Sequence, residues 1–413
     1  MDQTRPSRVL WLFGGLALFT VLLPVAGLCL AYLEPPGLFG APTLSFERVW
    51  PLLGRSLALS TSVSILSLVA GTTLAWAEVR TAYAGRRILS LLSTLALATP
   101  SYLIATILRE QMAPAGGLGH LMGTTEAFTG FWPAVLVLTV ACTPYVHLLT
   151  AAALRRCPPA EEEAARSLGA GQWRVLSTII APRLRSTWAF ALALVGLYVI
   201  SDFGAVAILD CEVLTWELYK ARDGHEAVTL GFGLMFVVFP LLVGVRLLSR
   251  QTFDERSVTQ RQVERRALKG SGLCVVLLLH VLVIGLGVAL PIGSLTNWVW
   301  QGLSHHVQFA PVTGPAITTL VLAGFCTTVV VIVSGVVAYL AVQTRPKTAG
   351  LIENMVYLTS SLPGVLVAVG ILKLIIGIKR EAPWTGWVWF ETLGLFLLVG
   401  YCMRFLSQGF AAM

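Results

Sequence analysis

Acid–base or metal chemistry needs carboxylates, histidines or thiols gathered in one place, and this chain offers few such groups. Glu161, Glu162 and Glu163 stand in a row after Pro158-Pro159 and are followed by Ala164-Ala165, Leu168 and Gly169. The prolines stop one helix and suit the first turn of another. The glutamates therefore sit near a positive helix end, where a carboxylate gains a few tenths to about 1 kcal/mol. Ala164 and Leu168, four apart, share a face with Ala165 beside them, a small apolar stripe that fits a shallow groove on a partner. Gly169 ends the helix as a left-handed residue. A second short amphipathic piece, 172–180, leaves at an angle, and Pro182 precedes the next apolar run. This is contact chemistry, not catalysis. The plainer alternative is a solvated interhelical loop.

The remaining reactive side chains are dispersed. His305-His306 lack a third ligand and make a poor metal site, so no metal is expected. Asp202-Phe203-Gly204 lies toward the end of an apolar run, where an acid costs about 2.5 to 3.5 kcal/mol unless it finds water or a partner; a structural helix break is the alternative reading. The seven cysteines are scattered, with only Cys211 expected on an oxidising side, and imply no disulfide framework. No Gly-x-x-x-x-Gly-Lys-Ser/Thr phosphate loop is present, so the chain does not bind ATP by that route, and no cofactor of its own is expected. Without paired acids or histidine clusters in any apolar run, a membrane enzyme is excluded.

Hydrophobic residues make up 56% of the chain and charged residues 12%, with a mean hydropathy of +0.78. Soluble domains carry about twice that share of charge, so this is an all-α polytopic membrane protein. About ten apolar runs are each long enough to cross some 30 Å of hydrocarbon, near 8–33, 57–79, 88–108, 131–154, 188–209, 228–248, 273–292, 316–342, 351–376 and 387–405. The first is too long for a cleaved signal and lacks a small-x-small cleavage pattern before Glu34. Cys29 follows Leu28, which argues against a lipoprotein anchor.

Arginine placement orients the spans. Arg5 and Arg8 precede the first; Arg80, Arg86 and Arg87 follow the second; Arg155, Arg156, Arg166, Arg174, Arg183 and Arg185 surround the fourth-to-fifth connection; and a basic linker covers 251–270. The positive-inside rule puts these in the cytoplasm, N-terminus included. The net charge of +8 then reflects topology and contact with the lipid bilayer, and no nucleic acid is needed to explain it. On the outer side, the charged loop from Asp210 to Glu226 is either a landing surface for an external protein or a solvated loop.

The chain also repeats itself. The segment 94–105 aligns without gaps on 357–368, which places Pro100 on Pro363, and Leu74-Ala75-Trp76 falls on Val337-Ala338-Tyr339 in the same register. An even number of spans separates the copies, so the duplication is parallel. Both prolines fall inside spans, where they kink the backbone, shaping either a gate or helix packing. The halves are 1–250 and 271–413, joined by the linker.

Glu163-Ala164-Ala165, Gly169 and the Ile179-Ile180-Ala181-Pro182 ending resemble the cytoplasmic "EAA" loop of permeases in binding-protein-dependent ABC importers. Asp202-Phe203-Gly204, the Gly85-Arg86-Arg87 turn and the run from Gly71 to Thr81 resemble the duplicated ferric-iron and thiamine-type members. That resemblance implies a type I ABC-importer permease fold, like that of the methionine importer permease, in a bacterial inner membrane. It implies two copies of a cytoplasmic ATPase, which carry the ATP and Mg, and a periplasmic or extracellular solute-binding protein. The loop 157–185 couples to the ATPase through Glu163 as charged anchor, Ala164, Ala165 and Leu168 as contact surface, and Gly169 as turn, with Pro182 at its end. Pro100, Pro363, Asp202, Phe203 and Gly204 mark the pathway or helix breaks. Each half should carry its own EAA loop, yet the second has about four spans and the counterpart of Glu163 falls past Met413. The expectation is a truncated sequence, or a gene that has lost that loop. Substrates in such a family include ferric iron, thiamine, polyamines and phosphonates, with iron favoured by the Asp202-Phe203-Gly204 element. The alternative is an ion-gradient-driven carrier of two six-span halves, but the Asp-Arg pair expected before Gly85 is missing.

Overall fold

The computed structural model describes Gly15, Ala26 and residues 46–123, 125–157, 159–221, 224–252, 265–305, 312–344, 346–361, 364–381, 394–411 and 413. Helices dominate. In the first part of the chain they are α1 (Phe46–Arg80), α2 (Arg86–Leu95), α3 (Ser101–Gln111), α4 (Gly117–Met122), α5 (Phe131–Arg156), α6 (Pro159–Ser167), α7 (Gln172–Val175), α8 (Ala181–Ser201), α9 (Gly204–Ile208), α10 (Leu214–Lys220) and α11 (Gly224–Thr252). In the second they are α12 (Ser271–Ile284), α13 (Leu290–Ser304), α14 (Thr313–Gln343), α15 (Pro346–Ser361), α16 (Gly364–Glu381) and α17 (Leu395–Ala411). Two-residue strands β1 (Thr81–Ala82) and β2 (Arg266–Ala267) pair in parallel.

Among the described residues five helical stretches are long and apolar enough to cross a membrane: Val49–Arg80, Phe131–Arg156, Leu176–Ser201, Ser271–Ser304 and Thr313–Gln343. A sixth arises if the bent pair Arg86–Ala98 and Ser101–Gln111 counts as one span. The expected run at 8–33, apart from Gly15 and Ala26, and residues 387–393 of that at 387–405 lie outside the described residues, as do Leu362 and Pro363.

Two expectations are corrected. The run 88–108 is not one helix: a 3-10 turn, Ala96–Ala98, and Pro100 divide it, and the two pieces meet at 97°. Pro100 has no N–H to continue the ladder and disfavours helix in the residue before it, and Thr99 is extended, with ψ 116°. The run 188–209 also ends early, at Ser201, because Asp202 leaves the helix with ψ 122° and α9 restarts after it.

The chain divides into two compact units. One comprises residues 54–216 and 239–306 and centres on α5, whose 26 residues span about 39 Å at 1.5 Å each. In the most apolar window of α5, 72% of residues are buried, against 28–44% in Val49–Arg80, Leu176–Ser201 and Ser271–Ser304, so α5 is the axis of this unit and its neighbours there face outward. Close approach uses small residues, as expected where lipid supplies no hydrophobic drive. A Cβ on Gly71 would lie 2.6 Å from Val146 Cβ and 2.8 Å from the His147 backbone nitrogen. Serines on one face of α1 bind neighbouring backbone: Ser60 Oγ donates to Gly196 O (3.2 Å), Ser64 Oγ to Leu192 O (3.4 Å) and Ser67 Oγ to Thr139 O (3.4 Å). The other unit comprises residues 1–53, 217–238 and 307–413; its core packs Val337 and Leu340 of α14 against Ile352, Val356 and Leu406.

Candidate functional site

The glutamate-rich loop folds as Pro159 and Gly169 dictate. α5 ends at Arg156, α6 runs Pro159–Ser167, and Gly169 turns the chain with φ +83°. α7 and a π turn, Leu176–Ile180, lead into α8, with Pro182 in its first turn. Buried apolar residues fasten this segment to the bundle: Val175, Ile180 and Leu184 pack with Ala75, Val79 and Leu154, and Ala165 leans on the same cluster.

The three glutamates have three different fates. Glu162 is buried and makes an ion pair with Arg80, at 2.7 Å, with side-chain exposures of 4% and 3%. Arg80 Nη2 also donates to Leu154 O (3.1 Å) and Cys157 O (3.2 Å), so one guanidinium nitrogen holds the end of α5 and the start of α6 together. Arg80 Nε and Nη1 are buried with no acceptor among the described residues, and the contact with Glu162 Oε1 is ionic, not a directed hydrogen bond. Glu161 pairs with Arg183 at the surface, 2.5 Å. Glu163 is exposed and its carboxylate has no partner among the described residues.

Magnitudes rank these contacts. An exposed pair such as Arg183–Glu161 is worth roughly 0.2–1 kcal/mol, whereas removing one partner of a buried pair costs about 3–5 kcal/mol. Arg80 therefore sets the position of α6. Its docking leaves Glu163 and Ala164 exposed, Leu168 89% exposed and Ala165 half-buried. Gly169 and Pro182 are exposed as well. A charged and apolar face thus projects from a helix that is itself rigidly attached.

Behind Arg80 lies a polar network that reading the sequence did not single out. Glu78 accepts from His147 Nε2 (2.7 Å) and Ser90 Oγ (2.5 Å) and pairs with Arg155. Ser93 Oγ and Tyr83 Oη meet the two ring nitrogens of His280, at 2.7 and 2.9 Å. Single histidines in apolar runs, each on a different helix from its partner acid or hydroxyl, were the only signal available. The Tyr83 hydroxyl, outside the spans, is pushed up to about 12 by burial and by the charge of Glu78, so it stays protonated.

The second predicted element sits away from the loop. The Asp202 carboxylate accepts from Ser101 Oγ (2.5 Å) and Ala205 N (2.9 Å), joining the starts of α3 and α9. Pro100 caps α3. The Phe203 ring lies 6.0 Å from that of Trp216. A Cβ on Gly204 would fall 2.8 Å from Tyr102 Cβ, so this position requires glycine. The structure thus brings Pro100, Asp202, Phe203 and Gly204 together, while Pro363 lies outside the described residues. Arg109 bonds Ile208 O and Asp210 (3.3 Å), fixing the loop that follows. Cys211 there is buried, and burial pushes its thiol up to about 11. Among the described residues no group of three or more His, Cys, Asp or Glu is placed to hold a metal ion.

Residues 64–253 match the family profile of the binding-protein-dependent transport system inner membrane component. The chain is similar to the Fe(3+)-transport system permease protein of Haemophilus influenzae, 22% identical over 407 residues, covering 94% of this chain and 76% of that protein. It is similar to a probable sulfate transport system permease protein of Chlorokybus atmophyticus, 27% identical, covering 49% of this chain and 78% of that one. It is also similar to the molybdenum transport system permease protein of Escherichia coli, 33% identical over 138 residues, covering 32% of this chain and 59% of that one.

Proposed function

From the premise that this chain, through residues 64–253, belongs to the inner membrane components of binding-protein-dependent transport systems, we propose that it is the membrane-spanning half of an ATP-driven importer of ferric iron. It is a multi-pass membrane protein and a transport subunit, not a catalytic one. The ATP and Mg sit on two copies of a separate cytoplasmic ATPase, and a solute-binding protein on the outer side delivers the cargo. The N-terminus is cytoplasmic, and the halves 1–250 and 271–413 are parallel repeats of a type I importer fold.

The observation that carries this reading is the α6 loop: one face anchored through Arg80–Glu162, the other offering Glu163, Ala164 and Leu168 to a partner. A helix tied to the ends of α1 and α5 transmits displacement to the spans instead of absorbing it. Closure of the ATPase pair would then switch the pathway from inward-open to outward-open. Iron is supported by the ferric relative, whose similarity runs nearly the whole length of the chain, whereas the sulfate and molybdenum relatives match half of it or less. The ion-gradient carrier gains no support from these similarities.

The test is a Leu168→Cys variant cross-linked in membranes. Capture of a nucleotide-hydrolysing protein, dependent on the label reaching the cytoplasmic face, is the expected result; labelling only from the outside sinks the reading. Gly169→Asp should leave the protein inserted while ATPase stimulation no longer drives uptake, and unchanged uptake would refute the coupling role.

A further inference from the structure

The turn after α1 gathers positive charge that the α6 loop does not use. β1 and β2 pair with Thr81 opposite Arg266 and Ala82 opposite Ala267, and Leu268 N donates to Ala82 O at 3.0 Å. This pairing brings Arg265, from the connecting segment, to a cavity of about 470 Å³ lined also by Tyr83, Gly85, Arg86, Arg87 and Ile88. Among the described residues, three guanidiniums share this wall and no carboxylate does. The charges of Arg87 and Arg265 both act on Arg86, which cannot swing away freely because its Nη1 donates to Thr81 O at 2.9 Å. Glu78, whose charge also reaches Arg86, is already held by His147, Ser90 and Arg155. Converging like charges repel unless an anion joins them. The cavity also lies at the start of α2, where the first backbone N–H groups have no acceptor inside the helix.

α2 supplies the independent observation. It buries Ser90 and Ser93 and leaves Ile88, Leu91 and Leu95 exposed by 66%, 70% and 48%. Spaced three and four apart, these three share one face, and Ile88 is itself part of the cavity wall. An apolar stripe about 10 Å long at helical rise therefore begins at the arginines and runs away from them. Guanidinium forks match phosphate oxygens two at a time. A free phosphate would use only the arginines, whereas a phospholipid would use both features.

We propose that this cavity binds the phosphate of an anionic phospholipid, with Arg86, Arg87 and Arg265 holding the headgroup and Ile88, Leu91 and Leu95 receiving an acyl chain. Because Arg265 reaches the cavity through β2, a bound lipid would pin the connecting segment to the first half of the chain. The reading is independent of the importer assignment and requires only that the protein sits in a bilayer.

The experiment uses the full chain, purified in detergent and stripped of lipid, with binding read by native mass spectrometry. Phosphatidylglycerol, phosphatidylcholine and inorganic phosphate are the three probes. Phosphatidylglycerol should be retained in preference to phosphatidylcholine, and each of Arg86→Gln, Arg87→Gln and Arg265→Gln should weaken it on the order of fivefold. Leu91→Ser should weaken lipid retention and leave any phosphate binding unchanged. Equal retention of both lipids, or a preference that survives the three arginine changes, overturns the proposal. Phosphate binding with the same arginine dependence but no lipid preference overturns the lipid as its source. Should Arg86→Gln or Arg87→Gln fail to fold, Arg265→Gln alone decides, since that residue is exposed and lies outside every helix.

Discussion

Arg80 and Glu162 are almost wholly buried at the foot of α1, and Cys157 beside them is buried too. Arg80→Gln or Glu162→Gln leaves one charge without its partner, and a loss of about 3–5 kcal/mol in α6 docking is expected. Cys157 reports on it. Burial raises its thiol above the ordinary range despite nearby Arg80, so the neutral, unreactive form is favoured as pH rises through the usual thiol range. Maleimide labelling of Cys157, with the other cysteines replaced, should be slow in the parent protein and at least about tenfold faster in either variant. An unchanged rate would show that α6 is held by its apolar contacts alone. Glu163→Gln, by contrast, should leave stability within about 0.5 kcal/mol and act only on contact with a partner. Local chemistry treats the three glutamates alike, and only the family resemblance singled out Glu163; their separate fates follow from which way each projects from α6, decided by the position of Arg80 on another helix.

α2 and α3 form the element where the linear reading failed most plainly. Hydropathy alone made 88–108 one span, because apolar content does not register the 97° break. Pro100 was legible as a kink, but the tie beyond it was not: Asp202 joins the starts of α3 and α9 through Ser101 and Ala205. Asp202→Ala removes both bonds and should cost about 1–3 kcal/mol, seen as a lowered melting temperature; Asp202→Asn keeps an acceptor for Ala205 and should cost less. Gly204→Ala should be worse than either substitution suggests from volume, because its new methyl meets Tyr102 Cβ at 2.8 Å; overpacking of this kind costs about 1–3 kcal/mol. The Ser60, Ser64 and Ser67 spacing on α1 was a legible signal of a packed face. It passed unnoticed because serine carries little weight in a hydropathy profile.

For the whole molecule, the sequence by itself determined the class and the loop. An excess of apolar residues forces helices in a bilayer, since every backbone polar group there must be satisfied within its own segment. The order Pro-Pro, three glutamates, two alanines and a glycine dictates a short capped helix, because those residue types act locally. Pairings between distant segments were not legible. His147 with Glu78, and His280 with Ser93 and Tyr83, each join residues whose own neighbours in sequence are unremarkable. Only the tertiary structure decided which polar groups share a desolvated space, because the cost of burying a charge or hydroxyl is met by a partner that no local pattern specifies.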